Sequence, residues 1–196
     1  MNEERVRFDP NISAAIRSRN LDDLQHLLMK EPEQLRAFTP FAGGTWMHFA
    51  AREGDIDAVR LLISLGLDID VESSLDGRTA ICDACRGGHE GIVRLLLNNG
   101  AKLDTSSSSK NPLFSAILGR NLSIAILLLD FGVDSKATYN SKTMKSMNAI
   151  SFALEQGEVK IAEEVARRIA KKDSIKISDV LSKAKEVVIL NSIHKS

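Results

Sequence analysis

Apolar residues fall into a register that repeats along the chain. Ile56, Val59, Leu62 and Ile63 recur at helical spacing and predict one buried face of a helix over residues 56–65. The same spacing returns 34 positions later, because residues 45–70 align without a gap on residues 79–104. Of the 26 aligned positions 10 are identical: Thr45/Thr79, Ala50/Ala84, Arg52/Arg86, Gly54/Gly88, Val59/Val93, Arg60/Arg94, Leu61/Leu95, Leu62/Leu96, Gly66/Gly100 and Asp70/Asp104. A repeat of this length is one supersecondary unit that cannot bury its apolar face alone, so units stack. Each copy predicts an inner helix capped by threonine, a glycine, an outer helix, and a second glycine in the left-handed conformation that closes it.

The pattern extends, weakened, in both directions. Residues 11–30 read as a first, degenerate helix pair: Ala15, Leu21, Leu24, Leu27 and Leu28 stand 35 positions before Ala50, Ile56, Val59, Leu62 and Ile63. Arg19 occupies the place of the glycine between helices. Pro10 predicts an extended lead-in, and Glu31 before Pro32 ends the second helix. Residues 39–44 form a hairpin-like connector with Gly43 and Gly44 free to take positive φ, and Asp76, Gly77 and Arg78 mark a tight turn. In a fourth unit, shifted by 32, Asn111 replaces the capping threonine and Arg120 again replaces glycine, while Ala116, Leu127, Leu128 and Gly132 fall on Ala84, Leu95, Leu96 and Gly100. A fifth, shifted by 37, brings Ala153, Gly157 and Ile161 onto Ala116, Arg120 and Ile124. Its additional residues lie in a basic connector, 135–147, that carries Tyr139, Lys136, Lys142 and Lys145; loops this long inside a repeat are usually functional or mobile. The pattern ends after Ala170. A helix starting near Ser178 and Asp179, with Val180, Leu181, Ala184, Val187 and Val188 on one face, is expected to cap the last unit.

The stretches TWMHFAAREG and VRLLLNNGAKLD resemble the ankyrin repeat, with its T-P-L-H-x-A-A start, glycine between helices and V-x-L-L-L before G-A-D. Trp46 and Ala80 depart from it where the family has proline; Pro112 keeps it. The resemblance implies an all-α ankyrin-repeat solenoid of about five helix pairs forming a single domain, with repeats near 8–39, 40–73, 74–107, 108–139 and 140–170 and a capping segment over 171–196. It also implies a non-enzymatic module that binds another protein in a concave groove between connector tips and inner helices. Carried over residue by residue, the groove positions are Phe41, Gly44, Phe49, Arg52 and Glu53, then Leu75, Asp76, Arg78, Asp83 and Arg86, then Lys110, Ser115 and Leu118, then Phe152, Glu155 and Gln156. Tyr139 and the connector lysines join them. Phe41, Phe49, Leu75, Arg52 and Arg86 are of types enriched at hot spots or interface centres. The alternative for Phe49 and Phe152 is a place in the core, filling gaps beside small neighbours, and Trp46 either covers a neighbouring unit or meets a partner. More narrowly, TWMHFAA, NPLFSAI, LLLDFGVD and MNAISFALEQGEVKIAEEV resemble bacterial ankyrin proteins of the toxin-immunity type, which implies neutralisation of a cognate toxin. A scaffold or host-directed effector is the alternative on the same fold.

Composition narrows these readings. With 43% hydrophobic and 27% charged residues the chain is expected to fold, and 5% aromatic residues argue against a large aromatic ligand pocket. A net charge of zero removes the electrostatic case for nucleic acid or an anionic membrane. The balance hides a split: residues 1–105 carry 12 Lys and Arg against 17 Asp and Glu, and residues 106–196 carry 14 against 9. No secretory signal or membrane span is read from the sequence, and two cysteines fit a reducing compartment, so a cytoplasmic monomer is expected.

Candidate chemistry is sparse. Cys82 and Cys85 stand about one helical turn apart. A zinc site would draw on His89 and His48 to complete its ligands, a thioredoxin-like role would need a preceding strand, and packing as small hydrophobes is the third reading. The resemblance assigns His48 a polar contact with Thr45, and His89, at the start of an outer helix, a structural role; His26 and His194 match no pattern. Phosphate-loop, dinucleotide, nucleophile-elbow and H-E-x-x-H motifs are absent from the sequence. Ser106 to Ser109 with Lys110 read as a connector tip. Neither a catalytic residue nor a cofactor or metal is assigned.

Overall fold

Several helices of this chain begin where a side chain takes a backbone N–H that the first turn leaves open, whereas Thr79, expected to cap the inner helix that follows it, makes no such bond. The computed structural model describes residues 8–41, 43–141 and 145–193; Lys142 and His194 lie outside the described residues. The chain falls into two compact units, Met1–Lys102 and Leu103–Ser196.

The N-terminal unit holds α1 (Pro10–Ser18), α2 (Leu21–Lys30), a short 3-10 helix (Pro32–Arg36), α3 (Trp46–Glu53), α4 (Ile56–Ser64), α5 (Ala80–Gly87) and α6 (Glu90–Asn98). Asp9 caps α1 by accepting from the Asn11 N–H at 2.8 Å. Pro10 is therefore the first helical residue, not an extended lead-in, because proline lacks the N–H that this position leaves unpaired. Asn20 and Asp55 cap α2 and α4 in the same way, accepting from the N–H groups of Asp23 and Ala58. Between the helices of each pair the chain turns through a left-handed residue: Arg19 at φ 54°, Gly54 at 75° and Gly88 at 78°. Arg19 reaches the conformation that glycine supplies elsewhere, at a steric cost of about 1–2 kcal/mol for a residue with a Cβ.

The inner helices α1, α3 and α5 lie side by side in that order, as do the outer helices α2, α4 and α6, and each inner helix packs on its own outer partner. Ile12, Ile16, Leu24, Leu28, Ala50, Val59, Leu62, Ala84, Val93 and Leu96 fill the space between the rows and are fully buried. Each large aliphatic side chain there contributes about 1.5–3 kcal/mol by leaving water. The apolar spacing carries no sign of the 3-10 helix, which starts at Pro32, directly after the end of α2.

The C-terminal unit holds α7 (Pro112–Leu118), α8 (Leu122–Asp130), α9 (Ala149–Glu155), α10 (Val159–Asp173) and α11 (Ile177–Ile193). Here α7 lies against α9 and α8 against α10, and α11 covers α9 and α10. Helix α10 runs past Ala170 to Asp173, closed by Ser174 at φ 56°, with Lys171 and Lys172 in the last turn, where cations oppose the helix's partial negative charge. Along α11, Ala184 and Asn191 are buried, Val180, Leu181, Val187 and Val188 half-buried, and Ile189, Leu190 and Ile193 exposed.

The long connector is tied down at several points. Tyr139 and Met147 exchange backbone hydrogen bonds of 2.9 and 3.0 Å, an isolated antiparallel bridge. The Tyr139 hydroxyl donates to the Thr105 carbonyl at 2.7 Å and accepts from Asn111 Nδ2 at 3.0 Å. The Asn191 side chain accepts from the Lys145 N–H at 2.8 Å and donates to its carbonyl at 3.1 Å. Among the described residues no helix is long and apolar enough to cross a membrane.

Candidate protein-binding face

In the N-terminal unit two connectors meet edge to edge beside the inner helices. The Ser74 N–H and hydroxyl both reach the Gly43 carbonyl, at 2.9 and 3.2 Å. Gly43 sits at φ 65°, and a Cβ there would come within 2.5 Å of Ser74 Oγ and 2.8 Å of Leu75 Cγ. Glycine is required at this contact on both counts. The contact leaves Leu75 outside, 74% exposed at the connector tip.

Below the tip lies a polar cluster that holds the connector to α3. His48 Nδ1 accepts the Thr45 N–H at 3.1 Å and stands 3.0 Å from the Thr45 hydroxyl, while Nε2 faces the Arg78 carbonyl at 2.9 Å. These partners select the neutral tautomer with its proton on Nε2. Burial, the largest influence, pushes the His48 pKa below its ordinary value. The Asp76 carboxylate accepts from the Ser73 hydroxyl at 2.5 Å and the Arg78 N–H at 3.2 Å, and pairs with Arg78 Nε at 3.0 Å. Burial pushes the Asp76 pKa up, but these hydrogen bonds and the Arg78 charge together outweigh it and hold the carboxyl low. Asp76 and Arg78 are thus committed to the turn, with Arg78 half-buried and Asp76 exposed.

Several expected contact residues face inward instead. Asp83 is 6% exposed and turned toward Arg78, 3.9 Å away; burial raises its pKa, partly offset by the charge of Arg78. Phe49 is 1% exposed. Its ring tilts against Phe41 at 4.8 Å and meets Trp46 edge-on at 6.0 Å, and Phe8 stacks on Trp46 at 5.3 Å. Phe49 is therefore core rather than contact surface, and Trp46 covers this cluster with no exposed area of its own. Gly44 is buried too, because a Cβ there would strike the His48 side chain at 2.6 Å.

The outer side of the aromatic cluster is roofed by two guanidiniums. Arg17 lies 5.4 Å from the Phe41 ring centre and 5.2 Å from that of Phe49, and Arg52 lies 5.9 and 5.4 Å from the same rings. Such cation–π contacts position the arginine heads over the rings. Glu53, exposed, stands 3.8 Å from Arg17, and Arg86 is exposed on α5. Arg17 is not among the groove positions read from the sequence. Its signal is nonetheless present in the shift of 35, which places Arg17 on Arg52 just as the shift of 34 places Arg52 on Arg86.

In the C-terminal unit Phe152 is 9% exposed and stacks on Phe114 with ring centres 4.5 Å apart, so it too is core. Ser115 is buried, and Tyr139 packs edge-on against Phe114 at 5.1 Å with its hydroxyl already engaged twice. Burial raises the Tyr139 pKa. Lys110 is half-buried, 3.7 Å from Asp104, and Lys136 pairs with Asp173. Leu118 is exposed, as is Gln156, and Glu155 is half-buried.

Cys82 and Cys85 lie wholly inside α5's buried side. Burial, with the neighbouring Cys82 adding to it, drives the Cys85 thiol well above its ordinary pKa. A nucleophilic cysteine needs the opposite shift, so the packing reading fits this environment. His89 is also built into the frame: its Nε2 faces the Arg52 carbonyl at 3.0 Å, and its ring fills the space that Cβ atoms on Gly54 and Gly87 would occupy.

Comparison with known proteins agrees with this architecture. A family model for ankyrin repeats, in three copies, matches residues 12–107. The NF-kappa-B inhibitor cactus of Drosophila yakuba is 31% identical over 149 residues, covering 71% of this chain and 30% of the relative. Human BCL-6 corepressor-like protein 1 is 36% identical over 106 residues, covering 52% of this chain and 6% of the relative. The chain therefore spans less than a third of either protein. The Notch-regulated ankyrin repeat-containing protein of Xenopus tropicalis is 34% identical over 96 residues, 47% of this chain and 82% of the relative. With paired helices, left-handed turns between them and the Thr45–His48 contact all in register, this chain belongs to the ankyrin-repeat family.

Proposed function

We propose that this chain is a non-enzymatic binding module whose partner protein docks on the connector-tip side of the N-terminal unit, over Phe41, Arg52, Glu53, Leu75 and Arg86. Ankyrin repeats bind other proteins. The observation that carries the placement is Leu75, a large apolar side chain left 74% exposed by a connector that is otherwise tightly bonded. Arg52, supported on the rings of Phe41 and Phe49, stands on the inner helix α3, and an exposed leucine together with a positioned arginine has the make-up of an interface centre. In the C-terminal unit Leu118 is the corresponding apolar candidate, with Lys110 and Glu155 at its sides in the sequence register.

The test is affinity capture from extract of the native host, comparing wild type with Leu75→Glu and with Arg60→Glu on the outer helix α4. A partner held by wild type and by the Arg60 variant, and lost from the Leu75 variant, supports the placement. Retention by the Leu75 variant moves the interface elsewhere.

Toxin neutralisation in the bacterial cytoplasm is the narrower reading, and its support is the sequence resemblance of TWMHFAA, NPLFSAI and LLLDFGVD. A toxin gene adjacent to this one, whose product loses activity when the purified chain is added, would bear it out. A captured partner of regulatory character would favour the scaffold or effector alternative.

A further inference from the structure

The inner helices of the N-terminal unit carry the same residue at the same register: Arg17 on α1, Arg52 on α3 and Arg86 on α5. Because α1, α3 and α5 lie side by side in that order, the three arginine positions form one row across the helices. The first two share the Phe41 and Phe49 rings, with Arg17 5.2 Å and Arg52 5.4 Å from the Phe49 centre. They therefore stand within about 11 Å of each other, in keeping with the roughly 8–10 Å between packed helix axes. Among the described residues two acids are seen to act on the row. Glu53 lies 3.8 Å from Arg17, and buried Asp83, already turned to Arg78, acts on Arg52 at longer range.

Resting on the binding face proposed above, we infer that this row selects an acidic, extended segment of the partner with a carboxylate at every third residue. A polyproline-type strand repeats its face every three residues and rises about 3.1 Å per residue, so such carboxylates recur about every 9 Å. That period falls within the roughly 8–10 Å between packed helix axes, the spacing on which the three arginine positions are set. Carboxylates on one face of a β-strand recur at about 6.7 Å or 13 Å and fall out of step with it. Each guanidinium offers a planar fork that suits a carboxylate, and the rings beneath Arg17 and Arg52 reduce the freedom lost on binding. The row is basic in an otherwise acidic half of the chain, so acidic segments are repelled elsewhere on that half and drawn here.

The probe is a fluorescein-labelled ten-residue peptide with three glutamates at every third position and serine or proline between them. Controls are an isomer with its glutamates adjacent and a lysine version. Fluorescence anisotropy on the full chain is expected to show the spaced peptide bound about fivefold more tightly than the clustered isomer, with affinity falling as salt rises. Arg17→Met and Arg52→Met keep an apolar stem over Phe41 and Phe49, and Arg86→Gln keeps polarity; each is expected to weaken binding about three- to tenfold. Glu53→Gln releases Arg17 and is expected to tighten binding about twofold. Arg60→Gln, on the outer row, is expected to leave it unchanged, and circular dichroism confirms that each variant remains folded.

Absence of binding to the spaced peptide, equal binding of the two isomers, or an equal loss in the Arg60 variant overturns the inference. The two failures separate in the capture experiment. A partner lost with Leu75→Glu but retained by a variant combining Arg17→Met, Arg52→Met and Arg86→Gln sinks the acidic-segment inference and leaves the binding face standing; retention by both variants sinks the face itself.

Discussion

The inner helices of the two units share a register and differ in what they show to solvent. Where the N-terminal unit places Arg17, Arg52 and Arg86, the C-terminal unit places Leu118 and Glu155. Their interiors differ as well. Histidines tie the N-terminal unit together, His48 reaching the Arg78 carbonyl and His89 the Arg52 carbonyl. Amides and a phenol take that role in the C-terminal unit, through Asn111, Tyr139 and Asn191. The backbone of a repeat therefore needs particular hydrogen bonds at particular places, but several side chains can supply them. The position two residues after the buried alanine supplies none of these bonds, and its residue type varies from arginine to leucine and glutamate.

The largest effects should come from the aromatic cores that differ most between the units. Trp46→Ala removes a fully buried ring from the N-terminal cluster, and Phe114→Ala removes the ring between Phe152 and Tyr139. Each should cost about 3–5 kcal/mol. Hydrogen exchange resolved by mass spectrometry should locate the loss of protection over residues 8–64 for the first and 111–158 for the second. Trp46→Phe should cost less than Trp46→Ala, because it keeps a ring in the space and leaves a smaller cavity; both remove an indole N–H that is buried without an acceptor among the described residues. A uniform loss of protection in either variant would dissolve the distinction between the cores.

Glycine comes next. At Gly54, φ is 75° and a Cβ would lie 2.5 Å from the His89 ring. Gly54→Ala should therefore cost about 2 kcal/mol, from the left-handed backbone together with displacement of His89 from the Arg52 carbonyl. Urea unfolding would measure it. A loss well below 1 kcal/mol would mean that His89 moves aside freely and does not fasten α6 to its neighbour.

His48 supplies a test by pH. Its folded-state pKa is depressed, chiefly by burial, so the unfolded chain binds the proton more readily. The groups facing it are the Arg78 carbonyl and the charges of Asp83, Arg78 and Asp76; the acids raise its pKa and the Arg78 charge lowers it. The His48 contribution to stability is present above the unfolded pKa near 6.5 and is lost as pH falls from there toward the folded value. Asp83 runs the other way: its raised pKa contributes stability below the ordinary carboxylate value, lost as pH rises through the folded one, so it acts in a more acidic window. His48→Gln should cost about 1–2 kcal/mol at pH 7.5 and flatten the decline between pH 7 and 5.5. An unchanged slope would assign that decline to other groups.

Much of this organisation is legible in the apolar spacing. Helix pairs, the left-handed turns and the terminal helix follow from Leu, Ile and Val at helical intervals with glycine between them. Side-chain direction is less legible. Phe49 and Asp83 occupy positions that the repeat register assigns to the exposed side of an inner helix, yet one is drawn under Arg17 and Arg52 by neighbouring rings and the other toward Arg78. Those neighbours lie as far away as 32 residues in sequence for Phe49 and Arg17, beyond the reach of any local pattern. The Asn191 clamp on Lys145 is invisible for the same reason, with 46 residues between its partners. Arg17 escapes notice for a different one: the degenerate first pair shows its kinship through core positions alone, and the arginine is plain only once the inner helices are laid side by side.

The smallest predicted effect has the opposite sign to the others. Arg120 holds φ 58° in the C-terminal unit, where the N-terminal unit uses Gly54 and Gly88. The left-handed conformation costs a residue with a Cβ about 1–2 kcal/mol. Against this, glycine loses more backbone freedom on folding, worth about 0.4–1 kcal/mol. The Arg120 guanidinium lies 3.5 Å from Glu158, but its side chain is 78% exposed, so water screens the pair and leaves it with little net value. Arg120→Gly should therefore stabilise the chain by about 0.5 kcal/mol, seen as a small rise in urea midpoint with no change in slope. Arg19→Gly should behave alike at φ 54°. A loss of stability at position 120 alone would show that the pair with Glu158 fastens α7 to α10 more strongly than its exposure suggests, making this turn a site where the two units differ in mechanism and not merely in residue type.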